Sequence, residues 1–172
     1  MEEWLIENKD WFVPFATLLC AAFGGWWAGR KRIGIEVLSK NRQEWINDLR
    51  KQVSEFTSIS TKMPVDIIYK KITTTYNIND KNEIIEKISR LAIIRDYLIL
   101  LLNPDEKDSQ NINTSIQNIM SIINDLNNKD KQELSETILQ EFNKEILHKI
   151  EELTKNTQKV LKTEWERVKK GV

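Results

Sequence analysis

The sequence has few of the residues from which metal, redox and phosphate-binding sites are built. Its 172 residues contain one cysteine, Cys20, and one histidine, His148, which excludes a disulfide within one chain and a site with two histidine ligands. It contains no glycine-rich phosphate loop, no HExxH metalloprotease motif and no nucleophile elbow. The sequence therefore predicts no cofactor, no metal site and no small-molecule substrate.

Helix breakers and net charge are scarce as well. The chain has five glycines, three prolines and almost no strand-like alternation, so the predicted fold class is all-α. Lysine and arginine together number 26, as do aspartate and glutamate, and this balance lacks the basic excess typical of many nucleic-acid-binding proteins. A chain of 172 residues is long enough for one core of ordinary size.

One long uncharged run stands near the N-terminus, at residues 11–29. Its length is close to the ~20 residues that a helix needs to cross ~30 Å of hydrocarbon. A removable signal peptide would carry basic residues before this run, but residues 1–10 contain four acidic residues and one lysine. The bulky Leu19 before Cys20 argues against a lipoprotein cleavage site. We therefore predict a retained transmembrane helix instead of a signal peptide or the buried helix of a soluble domain.

The residues that flank this run predict its orientation. Aromatic pairs occupy positions 11–12 and 26–27, where the interfacial belts of a span would lie. Residues 30–32 read RKR, and an excess of lysine and arginine stays on the cytoplasmic side. The prediction is a single-pass protein of the bacterial inner membrane, with a short extracytoplasmic N-terminus at residues 1–10 and a cytoplasmic helical bundle at residues 30–172.

Apolar spacing predicts that the first helix of the bundle continues the span. Apolar residues at positions 38, 45, 49, 53 and 56 share one helical face without an intervening turn signal, so one helix should run from the membrane to about Ser60. Met63 and Pro64 are predicted to end it, because proline disfavours helix at the residue before it. Residues 65–80 suit either a strand or a short helix with a polar loop, and the surrounding pattern favours the helix.

Three further helices are predicted. Asp80 is expected to cap the second helix, whose several apolar sides place it at the centre of the bundle, and Asn103–Pro104 is expected to end it. An apolar stripe at residues 112–126 predicts the third helix, and residues 130–169 predict the last. Acidic and basic residues alternate along that last helix at i,i+4 spacing, which indicates a solvated face.

Small and aromatic residues near the membrane suggest contacts between helices. Cys20, Gly24 and Ala28 recur at every fourth position, with Gly25 beside them, and such a row allows two helix backbones to approach closely. A lone anchor with a chance excess of small residues fits this row equally well. Five residues just after the span are predicted at a subunit interface or in the bundle core, because tryptophan and arginine are frequent interface anchors. They are Arg42, Trp45, Leu49, Val53 and Phe56.

Three segments give the chain a family resemblance. KNRQEWINDLRK, LLNPDEKD and LKTEWERVKKG, together with one N-terminal span, resemble a family of small single-span bacterial proteins. The architecture is similar to the small membrane accessory protein of type VI-B CRISPR systems. The resemblance implies a divergent HEPN-like fold and a ring-shaped homo-oligomeric membrane pore that supports RNA-guided antiphage defence. The implied partners are other copies of the chain, the lipid bilayer and an RNA-guided CRISPR effector.

Little of the HEPN ribonuclease motif is present in this sequence. That motif is an arginine followed, after four to six residues, by a histidine, and here Asn143 stands five positions before His148. Only His148 matches, as a possible remnant with Asn143 as its neighbour, so we expect no enzymatic activity. The sequence leaves three functions open: a pore-type effector, a membrane-tethered helical adaptor without a pore and, least favoured, a ribonuclease acting through His148.

Overall fold

The bundle is formed by α-helices joined by short connections. A computed structural model describes the chain at residues 9–72 and 78–170, with the side chains at 9–13, 15–16 and 27–35 left undescribed. All regular secondary structure in the described residues is helical, which confirms the predicted all-α class. The helices are α1 (Lys9–Ile72), α2 (Ile78–Leu101), α3 (Lys107–Asn128) and α4 (Glu136–Lys170), with a 3₁₀ turn (Lys131–Glu133) before α4.

Polar contacts between helices show an up-down-up-down arrangement. The Tyr97 hydroxyl on α2 donates to Asp48 Oδ2 on α1 at 2.8 Å, so the end of α2 lies beside the start of the packed part of α1. Near the other end of α1, Lys71 Nζ donates to the carbonyl of Lys129, the residue that follows α3, at 3.0 Å. The late α4 residue Glu164 pairs with Arg42 of α1 at 3.1 Å. Helices α2 and α4 therefore run antiparallel to α1, and α3 runs parallel to it.

The core lies between the second half of α1 and the inner faces of the other three helices. Among the described side chains of α1 the first that is fully buried is Ile46, and Leu49 and Phe56 follow it with no exposed surface. Burying each such side chain contributes roughly 1.5–3 kcal/mol. The other helices contribute Ile84, Leu91, Ile94, Leu98, Ile112, Ile116, Ile119, Ile123, Leu126, Ile146, Leu153 and Val160.

The predicted end of α1 near Ser60 is wrong, because the helix continues through Pro64. A proline inside a helix removes one backbone hydrogen bond and costs about 3 kcal/mol. However, Met63 before the proline and Ile67 and Ile68 after it are all buried in the core. Their burial outweighs the local cost at roughly 1.5–3 kcal/mol each, so packing overrides the sequence signal.

Two other predicted helix starts are displaced. Helix α2 begins at Ile78, so Asp80 lies in its first turn instead of capping it. The last helix begins at Glu136 and not at Asp130. Asp130 and Glu133 instead form a capping box around the 3₁₀ turn, which delays the start of α4. The polar loop predicted after the first helix includes residues 73–77, which lie outside the described residues.

Helix α2 is not central, contrary to the prediction from its apolar composition. One face carries Leu91 and Leu98, which are buried without exposed surface against the core. The opposite face leaves Ile93 60% and Leu100 86% exposed. The helix packs mainly against α1 and only weakly against α3, so it lies at the side of the bundle. Its apolar residues lie on two opposite faces, and sequence spacing alone does not say which of these faces packs against the other helices.

A cluster of charged side chains joins α1 to α2 at the end of the bundle where α1 terminates. Glu83 of α2 accepts hydrogen bonds from Lys70 and, at 2.7 Å, from Lys87. Lys87 also donates to Asp66 at 2.9 Å. The hydrogen bond from Lys70, followed by that from Lys87, lowers the pKa of Glu83 from 4.5 to about 2.

This cluster predicts a defined acid sensitivity. Because the pKa of Glu83 is lower in the folded state, its ion pairs stabilise the fold above pH 4.5 and are lost as the pH falls towards about 2. The Tm of the Glu83→Gln variant should therefore fall less steeply than that of the wild type across this window. Glu141→Gln, at an exposed position with no ion pair among the described residues, is the control and should retain the wild-type slope. Equal slopes for all three proteins in circular dichroism melts would contradict the assignment.

Candidate functional site

The part of α1 that precedes the bundle presents apolar side chains without cover from the rest of the chain. The described side chains at positions 14, 17–26 and 36–38 are all exposed. Leu18 and Phe23 are 69% and 68% exposed. Monomeric soluble proteins rarely expose contiguous apolar surface of this extent, and such surfaces are typical of sites that bind membranes or other proteins. We take it, with the adjoining end of the bundle, as the candidate site.

Bulky and small side chains occupy different halves of this segment. At about 100° per residue, Leu18, Phe23 and Trp26 project from one half of the helix circumference. Cys20, Ala21 and Gly24 project from the other half, and the Cys20 thiol is exposed. A Cβ atom added at Gly24 or at Gly25 would meet no atom within 4 Å. The small half is therefore open to the approach of another helix.

The structure leaves part of the predicted span undescribed. Residues 1–8 lie outside the described residues, and the side chains at 11–13, 15–16 and 27–29 are not described, including that of Ala28 in the row of small residues. Within the residues that could be assessed, no helix combines the length and the apolar character needed to cross a membrane. The transmembrane helix, its orientation and the domain boundaries at residues 10 and 29 stay predictions.

A charged cluster fixes the end of α4 where α1 leaves the bundle. Glu164 of α4 has a side chain only 11% exposed, and it pairs with Arg42 of α1 at 3.1 Å and with Arg167 one turn later. Arg167 also lies 3.4 Å from Glu106, the residue that precedes α3. One partly buried carboxylate thus joins two guanidinium groups, and the cluster connects α1, α3 and α4.

The predicted contact residues of α1 lie inside the bundle. Trp45 is half-buried, and its indole N–H donates to the carbonyl of Leu101 at 2.9 Å. That carbonyl belongs to the last residue of α2, where helix geometry leaves it without an intrahelical partner. Leu49 and Phe56 are fully buried, and Val53 is 7% exposed. Together with the ion pair of Arg42, these contacts place all five residues against other helices of the same chain.

The possible HEPN remnant is a surface residue. The His148 side chain is 65% exposed, and its Nε2 lies 3.1 Å from Glu152 Oε1, one turn later on α4. Lys149 also pairs with Glu152, at 3.0 Å. Asn143 is half-buried on the same helix. In the described part of the chain, no group of three histidine, cysteine, aspartate or glutamate side chains is placed to hold a metal ion.

Comparison of the chain with protein-family models, with curated proteins and with solved structures finds no match. The helical bundle is shown by the structure itself. The divergent HEPN-like fold and the relation to CRISPR systems stay predictions from the three resembling segments.

Sequence reasoning missed a groove between α1 and α4. Gln43 and Arg50 line it from α1, and Gln158, Lys162 and Trp165 line it from α4. The charge pattern of α4 predicts a solvated face, and these residues are indeed accessible. The groove itself arises because α4 returns beside a segment more than 100 residues earlier in the sequence. The seven-residue spacing of Gln43 and Arg50 is the one local signal that they share a helix face.

The cluster around Glu164 predicts a stability difference between two neighbouring glutamates. The Glu164→Gln substitution leaves two guanidinium groups without their shared carboxylate and should lower the free energy of unfolding by about 1–3 kcal/mol. Glu166 pairs with Lys169 at 3.1 Å on the exposed surface, so Glu166→Gln should change the free energy of unfolding by less than about 0.5 kcal/mol. Denaturant titration of the full chain in detergent, followed by circular dichroism, measures both. Equal losses would show that Glu164 does not hold the helices together.

Proposed function

We propose that the protein is a homo-oligomeric, membrane-anchored effector of the pore type. One observation carries the proposal: α1 is a single helix of 64 residues that joins the exposed apolar segment to the core of the bundle without a loop. At 1.5 Å per residue it is about 96 Å long. Because no flexible linker intervenes, the arrangement of the bundles fixes the arrangement of the apolar segments.

The two halves of the apolar segment suggest two kinds of cover. Leu18 and Phe23 expose large apolar surfaces that hydrocarbon would bury, at about 25 cal/mol for each Å² removed from water. The half that carries Cys20 and Gly24 offers little side-chain bulk, which favours close packing of backbones. Bilayer lipid on the bulky half and another copy of α1 on the small half would cover the whole segment.

Assembly of such segments supplies the proposed activity. Several helices of ~10 Å diameter, held in a ring by their bundles, can surround an opening in the membrane. Permeabilisation or depolarisation of the inner membrane would then support antiphage defence, with an RNA-guided CRISPR effector as a partner. The defence role and this partner rest on the resemblance of the three sequence segments, and the pore rests on the geometry of α1.

A second function, the membrane-tethered adaptor, is favoured by a different observation. Ile93 and Leu100 are exposed on the outer face of α2, at the side of the bundle, and an apolar helix face of this kind can bind another protein. In that function the apolar segment only holds the bundle at the membrane. An unrelated span could then replace residues 11–29 without loss of activity.

Large side chains introduced on the small half of the segment should reduce activity without affecting folding. In the Gly24→Leu, Gly25→Leu double variant a Cβ atom at either position meets no atom within 4 Å, and leucine favours helix over glycine by about 1 kcal/mol. Expression and helix content should therefore be unchanged, whereas membrane depolarisation should fall at least ~10-fold because the copies of α1 can no longer pack closely.

The control for this variant is Phe23→Leu, which keeps an apolar side chain on the bulky half and should depolarise like the wild type. A voltage-sensitive dye in expressing cells measures the three proteins. Full depolarisation by the double variant would contradict the packing of α1 helices. Full activity after replacement of the whole span would move the conclusion to the tethered adaptor.

A further inference from the structure

We propose that the copies of this chain assemble head to tail, with the outer face of α2 of one copy seated in the α1–α4 groove of the next. This inference rests on the proposed self-assembly and identifies the surfaces that would carry it. It makes the interface heterologous, because the two surfaces are different, and a heterologous interface forms a ring when its rotation closes.

The outer face of α2 has the properties of an interface anchor. Ile93, Tyr97 and Leu100 follow a three-to-four spacing and therefore share this face. Leu100 is 86% exposed, more than any other large apolar residue that the structure describes. Two acidic residues flank the apolar stripe: Glu86, which is exposed, and Asp96, whose side chain is 62% exposed and pairs with the adjacent Arg95 at 2.8 Å.

The groove between α1 and α4 offers the complementary chemistry. Leu161 and Trp165 supply apolar surface, and Trp165 is 40% exposed. Arg50 and Lys162 line the same groove, and neither forms an ion pair with any described residue. Lys162 also lines a neighbouring pocket on α4, together with Lys159 and Glu152. An apolar stripe with acidic flanks would thus meet an apolar strip with basic flanks.

The two surfaces lie at the same height along α1. Tyr97 bonds to Asp48, which fixes the level of the outer α2 face relative to α1. Arg50, which lines the groove, lies two residues from Asp48, or about 3 Å along the helix axis. Copies related by rotation about an axis normal to a membrane keep the same height, so matching levels are required for a ring of anchored chains.

The two surfaces also point in different directions. Asp48 bonds to α2 and Arg50 lines the groove, and at about 100° per residue these two positions lie roughly 160° apart around α1. The outer face of α2 and the α1–α4 groove therefore belong to different sides of the bundle. One copy can therefore contact two neighbours at once. Anionic lipid is a poorer occupant of the groove, because Arg50 lies 18 residues beyond Arg32, or ~27 Å, which exceeds a Debye length of ~8 Å.

The first test is the native mass of full-length variants in mild detergent as a function of concentration. Leu100→Glu places a charge in the apolar stripe and should weaken self-association at least ~30-fold. Its matched control is Asn118→Glu, at an exposed position of α3, which should assemble like the wild type. If the wild type assembles and Leu100→Glu assembles equally well, this interface is wrong while the proposed self-assembly stands. A monomeric wild type would overturn both.

The second test exchanges charge between the two surfaces. Arg50→Glu and Asp96→Arg should each weaken assembly, and the two substitutions combined in one chain should restore it at least ~10-fold, because every interface then regains an opposite pair. Failure of the combined variant to recover would overturn the proposed seating of α2 in the groove. A loss of assembly caused by Arg50→Glu but not by Asp96→Arg would indicate that the groove binds some other acidic partner.

Discussion

The structure depends on the continuity of α1. The helix enters the core at Ile46, passes through Pro64 and remains packed to Ile68, so the whole of its second half is held by the other three helices. Its first half leaves the bundle without a turn. A helix of this kind transmits the position and rotation of the bundle to the apolar segment, which a flexible linker would not do.

The end of the bundle from which α1 emerges is reinforced by polar contacts. The Trp45 indole satisfies the final carbonyl of α2, and Glu164 holds Arg42 beside α4. Each contact joins α1 to a different neighbour at nearly the same level. Packing of apolar side chains alone tolerates some sliding and rotation of helices, whereas hydrogen bonds to charged or fixed groups define a register. The exit direction of the apolar segment is set by these contacts.

Much of the fold could be predicted from the sequence, because helix content and apolar spacing are local properties. The spacing of Leu49 and Phe56 places both on the core face, and Asn103–Pro104 lies directly after α2, as predicted. The passage of α1 through Pro64 could not be predicted, since the burial that stabilises it comes from residues distant in sequence.

The candidate site, too, could be predicted from the sequence only in its local features. Leu18 and Phe23 are exposed, and the apolar run to which they belong is evident in the sequence. The groove beside Arg50 and the exposed face of α2 depend on which helices become neighbours. Spacing gives the faces of a helix, but the long-range contacts of the bundle decide which face is covered.

The most direct test of the central claim is the native mass of the wild-type chain, extracted in mild detergent and again reconstituted in lipid nanodiscs. Assembly through the bundles predicts one discrete species of roughly six or more copies in both environments, enough for helices ~10 Å across to enclose an opening. A monomer or dimer in both environments would contradict the pore-type assembly and leave α1 as a simple anchor.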